Sequence, residues 1–253
     1  MTRLASLVIA LLLLGCGPDD NAPDLRIAVA ANFAAPLRQL VDDYCSAANL
    51  PPTAIAVSVG ATGSLAQQIR QGAPFDLFLA ADRRRPTTLA KEGHGQPDSQ
   101  RSYAIGRLVL VSNTADLIAG AAVLATSDAR LVIANPTTAP YGLAAQETLA
   151  SLGHWARWEG RLIRAQSAGQ AQQMIASGAV AGGFIAQAQL TGMDIRSHWL
   201  VPSEHHHPIE QHGLLLSASP TAAAFWRWLT EDPQARATIA AAGYDLQALP
   251  GQP

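Results

Sequence analysis

Short apolar runs alternate with helical patterns along almost the whole chain from residue 25 onward. The run at residues 25–31 is followed by Phe33, Leu37, Leu40 and Tyr44, which recur at the spacing of one helix face. This alternation is typical of an α/β fold, in which helices connect neighbouring parallel strands. The sequence therefore predicts sheets flanked by helices.

The same alternation predicts further strands at residues 54–59, 75–80, 103–111, 131–134, 161–165, 180–186 and 213–217. Helices are predicted between them, and Asp82 is well placed to cap the helix after residues 75–80. Arg83, Arg84 and Arg85 follow that aspartate. We interpret these arginines as a solvated helix face, with a contact to a partner or an anion as the alternative.

Composition excludes several classes of protein. The chain has 253 residues, of which 49% are hydrophobic and 14% charged, so it can bury a large core. Its net charge of −2 provides no basic field that would attract nucleic acid. Any anion must therefore be recognised locally, and we expect no nucleic-acid partner.

The first residues have the pattern of an export signal. Arg3 precedes an apolar run at residues 4–14, which is too short to span a membrane and ends at Gly15 and Cys16. A lipoprotein signal would be cut before Cys16, which would then carry the lipid. We predict a signal peptide at residues 1–15, a flexible tether at 16–24 and a periplasmic or extracytoplasmic, membrane-anchored protein; an ordinary secretory signal is the alternative.

Four junctions between a predicted strand and the next helix share an unusual character. They are small, uncharged and rich in hydroxyl, amide or glycine residues, and they lie at Ala31–Asn32 and at residues 60–64, 139–142 and 167–170. A helix N-terminus has unpaired N–H groups and a partial positive charge, and the carboxyl ends of strands in an α/β sheet border a cleft. Together the junctions predict an anion site, although capping residues and turn glycines also occur in most α/β proteins.

None of these junctions contains Lys or Arg. A tetrahedral dianion can be held by neutral donors, each contributing about 1.5–3 kcal/mol. A site made of donors alone disfavours hydrogen phosphate, because its proton would be buried without an acceptor.

Several blocks of sequence resemble the ModA-like molybdate-binding proteins, and they occur here in the same order. The blocks are residues 30–33, 60–65, 72–82, 103–106, 108–110, 135–136 and 139–144. The resemblance implies a type II periplasmic-binding-protein fold, with two lobes that each hold a mixed sheet flanked by helices and are joined by crossing hinge strands. We predict lobe I at residues 25–105 and 208–253, and lobe II at 106–207.

The resemblance also implies a function and a site. Molybdate or tungstate would be bound between the lobes and delivered to an ABC transporter permease, by a chain that we expect to be a monomer without a cofactor. Asn32 and Thr62 would bind the oxyanion from lobe I. Tyr141 and Ala168 would bind it from lobe II, largely through backbone N–H groups. Ala31 and Ser64 are neighbouring candidates.

Three other functions are alternatives. Sequence physics does not separate molybdate from sulfate, since both are tetrahedral dianions. A zinc-binding protein would use Glu204 and His205, His206 and His207, with Glu210 and His212 nearby, but these residues lack helical His-x-x-x-His spacing and have no cysteine beside them. Gly-x-Ser-x-Gly and phosphate-loop motifs are absent from the sequence, which predicts a binding protein and not an enzyme.

Overall fold

The computed structural model describes residues 23–114 and 119–246. The predicted signal peptide, Cys16 and most of the predicted tether lie outside these residues. Strands of the described part are β1 (Leu25–Ala30), β2 (Ile55–Gly60), β3 (Leu77–Ala80), β4 (Arg101–Gly106), β5 (Leu108–Ser112), β6 (Leu131–Ala134), β7 (Ile163–Ala165), β8 (Gly182–Ala186), β9 (Ser197–Leu200) and β10 (Ile209–Leu215). Helices of the described part are α1 (Ala34–Ala48), α2 (Thr62–Arg70), α3 (Arg84–Lys91), α4 (Ala121–Thr126), α5 (Pro140–Ser151), α6 (Trp155–Trp158), α7 (Ala168–Ala176), α8 (Pro220–Glu231) and α9 (Pro233–Ala241).

The strands form two mixed sheets, which confirms the predicted fold class. The first sheet has the order β2-β1-β3-β10-β4 and the second the order β7-β6-β8-β5-β9. In the first sheet β1 is parallel to β2 and β3, while β10 is antiparallel to β3 and β4. In the second sheet β6 is parallel to β7 and β8, while β5 is antiparallel to β8 and β9. We call the two sheets with their helices the first and the second lobe.

In the described residues, two connections between strands carry the chain from one lobe to the other. Arg107 alone separates β4 of the first sheet from β5 of the second, and residues 201–208 lead from β9 back to β10. The predicted single strand at residues 103–111 is therefore wrong. Both halves of that run are extended and largely apolar, so periodicity could not show that the chain changes sheets between them.

Helix α1 shows how local sequence builds these layers. Its Leu37 and Leu40 are fully buried, and the helix ends where Asn49 adopts the left-handed conformation with φ 54°. Asparagine tolerates that conformation better than most residues. Burying each such leucine contributes about 1.5–3 kcal/mol, so this apolar face fixes the helix on the first sheet.

Each sheet has its own apolar core. The core of the first lobe contains Phe33 and Trp226, and that of the second contains Trp158 and Phe184. Ala30 of the first lobe packs into the second lobe's cluster. In the two described stretches, no helix is long and apolar enough to cross a membrane.

Candidate functional site

The four junctions that the sequence singles out meet in one pocket between the lobes. They follow β1, β2, β6 and β7, whose carboxyl ends face each other across the pocket. Uncharged residues line it: Ala30, Ala31, Asn32, Gly60, Ala61, Thr62, Ala139, Pro140, Tyr141 and Ala168. Two junctions thus come from each lobe.

Three of the four helical segments at this pocket begin without a side-chain cap. Among the described residues, no side chain accepts a hydrogen bond as the N-cap at Ala30, Ala61 or Ala139. Alanine is a poor N-cap, because the first-turn N–H groups then lack an acceptor. Helix α7 differs, since Ser167 accepts a hydrogen bond from the Gln170 N–H at 3.2 Å. The uncapped starts leave donors and partial positive charge facing a shared space.

Thr62 combines a helix start with a side-chain donor. Its side chain is 1% exposed, and its hydroxyl oxygen accepts a hydrogen bond from the Ala81 N–H at 3.2 Å. A hydroxyl can accept and donate at once, so the Thr62 hydrogen remains available for a guest. The β3–α3 connection thereby orients a group on α2.

Asn32 lies at the first junction, buried beside residues that the sequence did not predict. Its amide donates to Gln211 Oε1 at 2.8 Å and to the Tyr244 hydroxyl at 3.0 Å. The Tyr244 hydroxyl in turn donates to the Asn32 carbonyl oxygen at 2.9 Å. These contacts fix Asn32 against the interior of the first lobe.

Tyr141 brings its main chain to the pocket from the first turn of α5. Pro140 precedes it and has no N–H, so the Tyr141 N–H is the first donor of that helix. The phenol is buried, and its hydroxyl lies beside the Tyr244 hydroxyl and the Asn32 amide. Burial, more than the nearby Tyr244, raises the pKa of Tyr141 well above its usual value. The phenol therefore stays neutral beside any bound anion.

The remaining predicted residues divide into two groups. Ala168 is the first residue of α7. Both Ala168 and Ala31 line the pocket. Ser64 is exposed on α2 and is not among the lining residues. Residues two apart on a helix point to opposite sides, so Thr62 and Ser64 cannot both face the pocket.

The lobes contact each other at the mouth of the pocket. The Gly63 N–H donates to the Thr138 carbonyl oxygen at 2.8 Å, and Arg85 Nη2 donates to the Thr137 carbonyl oxygen at 2.7 Å. Arg85 also pairs with Asp82, and its side chain is only 14% exposed. The interpretation of Arg85 as part of a solvated face is wrong, because it bridges the two lobes.

The histidine segment lies apart from the pocket, near residue 147 of α5. His207 contacts Glu147 through its main-chain N–H at 2.9 Å and its Nδ1 at 3.0 Å. His205 Nδ1 is 3.0 Å from the Ser151 hydroxyl. Across residues 23–114 and 119–246, no three His, Cys, Asp or Glu side chains are grouped so that they could hold a metal ion.

Comparisons with known proteins identify the family of this chain. A family model described as bacterial extracellular solute-binding protein matches residues 25–245. The chain is 38% identical to the molybdate-binding protein ModA of Azotobacter vinelandii, over 96% of this chain and 98% of that protein. It is 35% identical to ModA of Rhodobacter capsulatus, over 92% of each.

A solved structure supports the same relationship. The Azotobacter vinelandii periplasmic molybdate-binding protein matches with a TM-score of 0.82 and 35% identity, over 88% of this chain and 100% of that one. The predicted resemblance is thus confirmed in sequence and in fold. The chain belongs to the bacterial extracellular solute-binding protein family, in its ModA-like branch, and is a binding protein and not an enzyme.

Proposed function

We propose that this chain binds molybdate, or tungstate through the same contacts, outside the cytoplasm and delivers it to an ABC transporter permease. The observation that carries this proposal is the meeting of four uncharged helix starts, two from each lobe, in one pocket. The choice of molybdate over sulfate rests on the ModA relatives. A lipid anchor at Cys16 and a monomeric state are part of the proposal.

The donors that face the pocket suit a dianion. The Thr62 hydroxyl and the N–H groups of Asn32, Tyr141 and Ala168 are neutral, and none of the residues lining the pocket is acidic. Hydrogen bonds to a charged group contribute about 1.5–3 kcal/mol each, so four reach the scale of the ~8 kcal/mol that micromolar binding requires. Hydrogen phosphate would lack an acceptor for its proton and should bind weakly.

Hinge closure would couple binding to transport. With the lobe boundaries at residues 105/106 and 207/208, a guest contacts all four donors only when the lobes meet. An anion that binds the closed form better than the open form shifts the equilibrium toward closure. The closed form would then be the one that the permease recognises.

Titration calorimetry on the purified protein tests the proposal directly. We expect molybdate to bind with one-to-one stoichiometry and to compete with tungstate, while sulfate competes weakly and phosphate hardly at all. The absence of both heat and a thermal shift with molybdate and tungstate would refute the proposal. Stronger binding of sulfate than of molybdate would redirect it to another oxyanion.

Two sets of variants separate this site from the histidine segment. Replacing Asn32 and Thr62 together by alanine should abolish oxyanion binding, because the first lobe loses one donor and the anchor of another. Replacing His205, His206 and His207 by alanine should leave binding intact. The reverse result would favour a cation site in the histidine segment.

A further inference from the structure

The amide group of Asn32 has no hydrogen left for a bound anion. A primary amide carries two N–H hydrogens, and here Nδ2 donates to Gln211 Oε1 at 2.8 Å and to the Tyr244 hydroxyl at 3.0 Å. Asn32 is 3% exposed, so this arrangement is buried. What Asn32 can offer to a guest is its main-chain N–H, in a first turn that lacks a side-chain cap.

A main-chain carbonyl determines which way these amides face. Gln211 Nε2 donates to the Ile209 carbonyl oxygen at 2.9 Å, and a carbonyl oxygen can only accept. Gln211 therefore places its Oε1 toward Asn32, and Asn32 donates to that oxygen through its Nδ2. Gln211 is fully buried, so water does not compete for these groups.

Both partners of Asn32 lie close to the segments where the chain passes between the lobes, Arg107 and residues 201–208, which we call the hinge segments. Gln211 lies on β10, next to the register shift between Gln211 and His212. Tyr244 precedes Asp245, which pairs with Ile105 of β4 through two main-chain hydrogen bonds of 2.7 and 2.9 Å. Asp245 also forms an ion pair with Arg107, the residue at which the chain passes between the sheets.

We infer that Gln211 and Tyr244 are positioning residues of the oxyanion site. They engage both hydrogens of the Asn32 amide, hold its main-chain N–H toward the guest and connect it to the hinge segments. This inference rests on the proposed function and assigns its Asn32 contact to the main chain. Asn32 then serves as the link between the pocket and the hinge.

Tyr244→Phe tests this role, with Tyr103→Phe as its matched control. Both rings pack on Phe33, with centroids 5.4 and 4.9 Å from it, but the buried Tyr103 hydroxyl has no partner among the described residues. We expect Tyr244→Phe to weaken molybdate binding about tenfold, mainly through a faster koff, and Tyr103→Phe to leave the affinity unchanged. Gln211→Met should resemble Tyr244→Phe. If Gln211→Met does not fold, Tyr244→Phe decides.

A double-mutant cycle separates positioning from general stability. If Tyr244 acts through Asn32, Tyr244→Phe should cause a smaller loss of affinity in an Asn32→Ala background than in wild type, although it lowers Tm in both, because only its hydrogen bond to the main-chain carbonyl oxygen of residue 32 is left to remove. Asn32→Ala alone should still bind, because it keeps the main-chain N–H. A complete loss of binding in Asn32→Ala, or equal losses in both backgrounds, would overturn the inference.

The same titrations distinguish failure of the inference from failure of the function. A wild-type protein that binds molybdate as tightly as its Tyr244→Phe variant refutes the positioning role alone. A wild-type protein that binds neither molybdate nor tungstate refutes the proposed function, and the positioning role with it.

Discussion

The two lobes bring different chemistry to the same pocket. The first lobe contributes Asn32 and Thr62, whose side chains are oriented by partners distant in the sequence, namely Gln211, Tyr244 and the Ala81 N–H. The second lobe contributes Tyr141 and Ala168, from the first turns of α5 and α7. Ala168 has only a methyl group, and the buried, neutral phenol of Tyr141 lies beside Tyr244 and Asn32 of the first lobe.

The difference shows two ways to fix a donor. In the first lobe, hydrogen bonds set the position, so removing a single polar atom should matter. In the second lobe, close packing of main chain sets it, so added volume should matter. Gly142 illustrates the packing, because a Cβ at that position would lie 2.0 Å from the Ala134 carbonyl oxygen.

Gly142→Ala should have the largest effect and tests the packing of the second lobe. The new methyl group forces α5 away from the end of β6, at a cost of about 1–3 kcal/mol in stability, and moves the Tyr141 N–H. We expect at least ~100-fold weaker molybdate binding. Calorimetry and thermal unfolding measure the two effects.

Gly169→Ala is the control for volume in the same lobe. Its Cβ would lie 3.3 Å from the Ala31 Cβ and 3.7 Å from the Ser167 hydroxyl, so a small adjustment accommodates it. Alanine also favours the helix by about 0.8–1 kcal/mol over glycine. Binding within about fivefold of wild type is expected. Equal affinities for Gly142→Ala and wild type would contradict the conclusion that close packing positions the donors of the second lobe.

Thr62→Val should have the next largest effect and tests the side-chain chemistry of the first lobe. Valine keeps the shape of threonine but removes the donor, and it leaves the Ala81 N–H without its acceptor. A lost hydrogen bond to a charged guest corresponds to about 10–100-fold weaker binding. Thr62→Ser keeps the hydroxyl and should bind within about threefold of wild type. If valine and serine variants bind equally well, the hydroxyl does not contact the guest.

The sequence predicted the four junctions because their signals are local. Small residues at the end of an apolar run and the start of a helical pattern identify the junctions without knowledge of the fold, and the resemblance to the ModA-like family implies Asn32, Thr62, Tyr141 and Ala168 within them. Gln211 and Tyr244 carry no such signal. They are 179 and 212 positions from Asn32, so only the folded chain brings them together.

The features that local sequence does not predict have the same origin. Strand β9 was missed because its exposed and half-buried residues form no apolar run. Residues 103–111 are divided into β4 and β5 because these adjacent segments pair with strands of different sheets. Arg85 was assigned to solvent because its acceptor, the Thr137 carbonyl oxygen, lies in the other lobe. Pairing with segments that are distant in the sequence determines each of these features, and local pattern does not report it.

Arg85→Ala should have a smaller effect, because it removes a contact between the lobes and no donor to the guest. The Arg85–Thr137 hydrogen bond lies at the pocket mouth and is partly open to solvent. A hydrogen bond of this kind contributes about 0.5–1.5 kcal/mol, so koff for molybdate should rise about two- to tenfold. Exposed Arg84, on the same helix, provides the control. Equal koff values for the two variants would show that the lobes close without this bridge.

The smallest expected effect is the response of the first lobe to acid through His212. Burial lowers the pKa of His212, and Arg83 lowers it too. Glu210 and Asp82 raise it, but the net shift is downward. Gln100 Nε2 lies 3.4 Å from His212 Nδ1. Because the folded pKa lies below the unfolded value of about 6.5, the unfolded chain binds the proton first. The contribution of His212 to the stability of the folded chain is therefore complete above about pH 6.5, and it is lost as the pH falls through the folded pKa.

Thermal unfolding between pH 7.5 and 5 checks this sign. Since His212 follows Gln211 on β10, its protonation would disturb the strand that holds Asn32, whereas the main-chain donors of the second lobe do not titrate. The Tm of His212→Gln should fall by a few degrees less than that of wild type over this range, and His198→Gln, altered at an exposed position on β9, should follow wild type. Parallel curves for all three proteins would mean that side-chain positioning does not make the first lobe more acid-sensitive than the second.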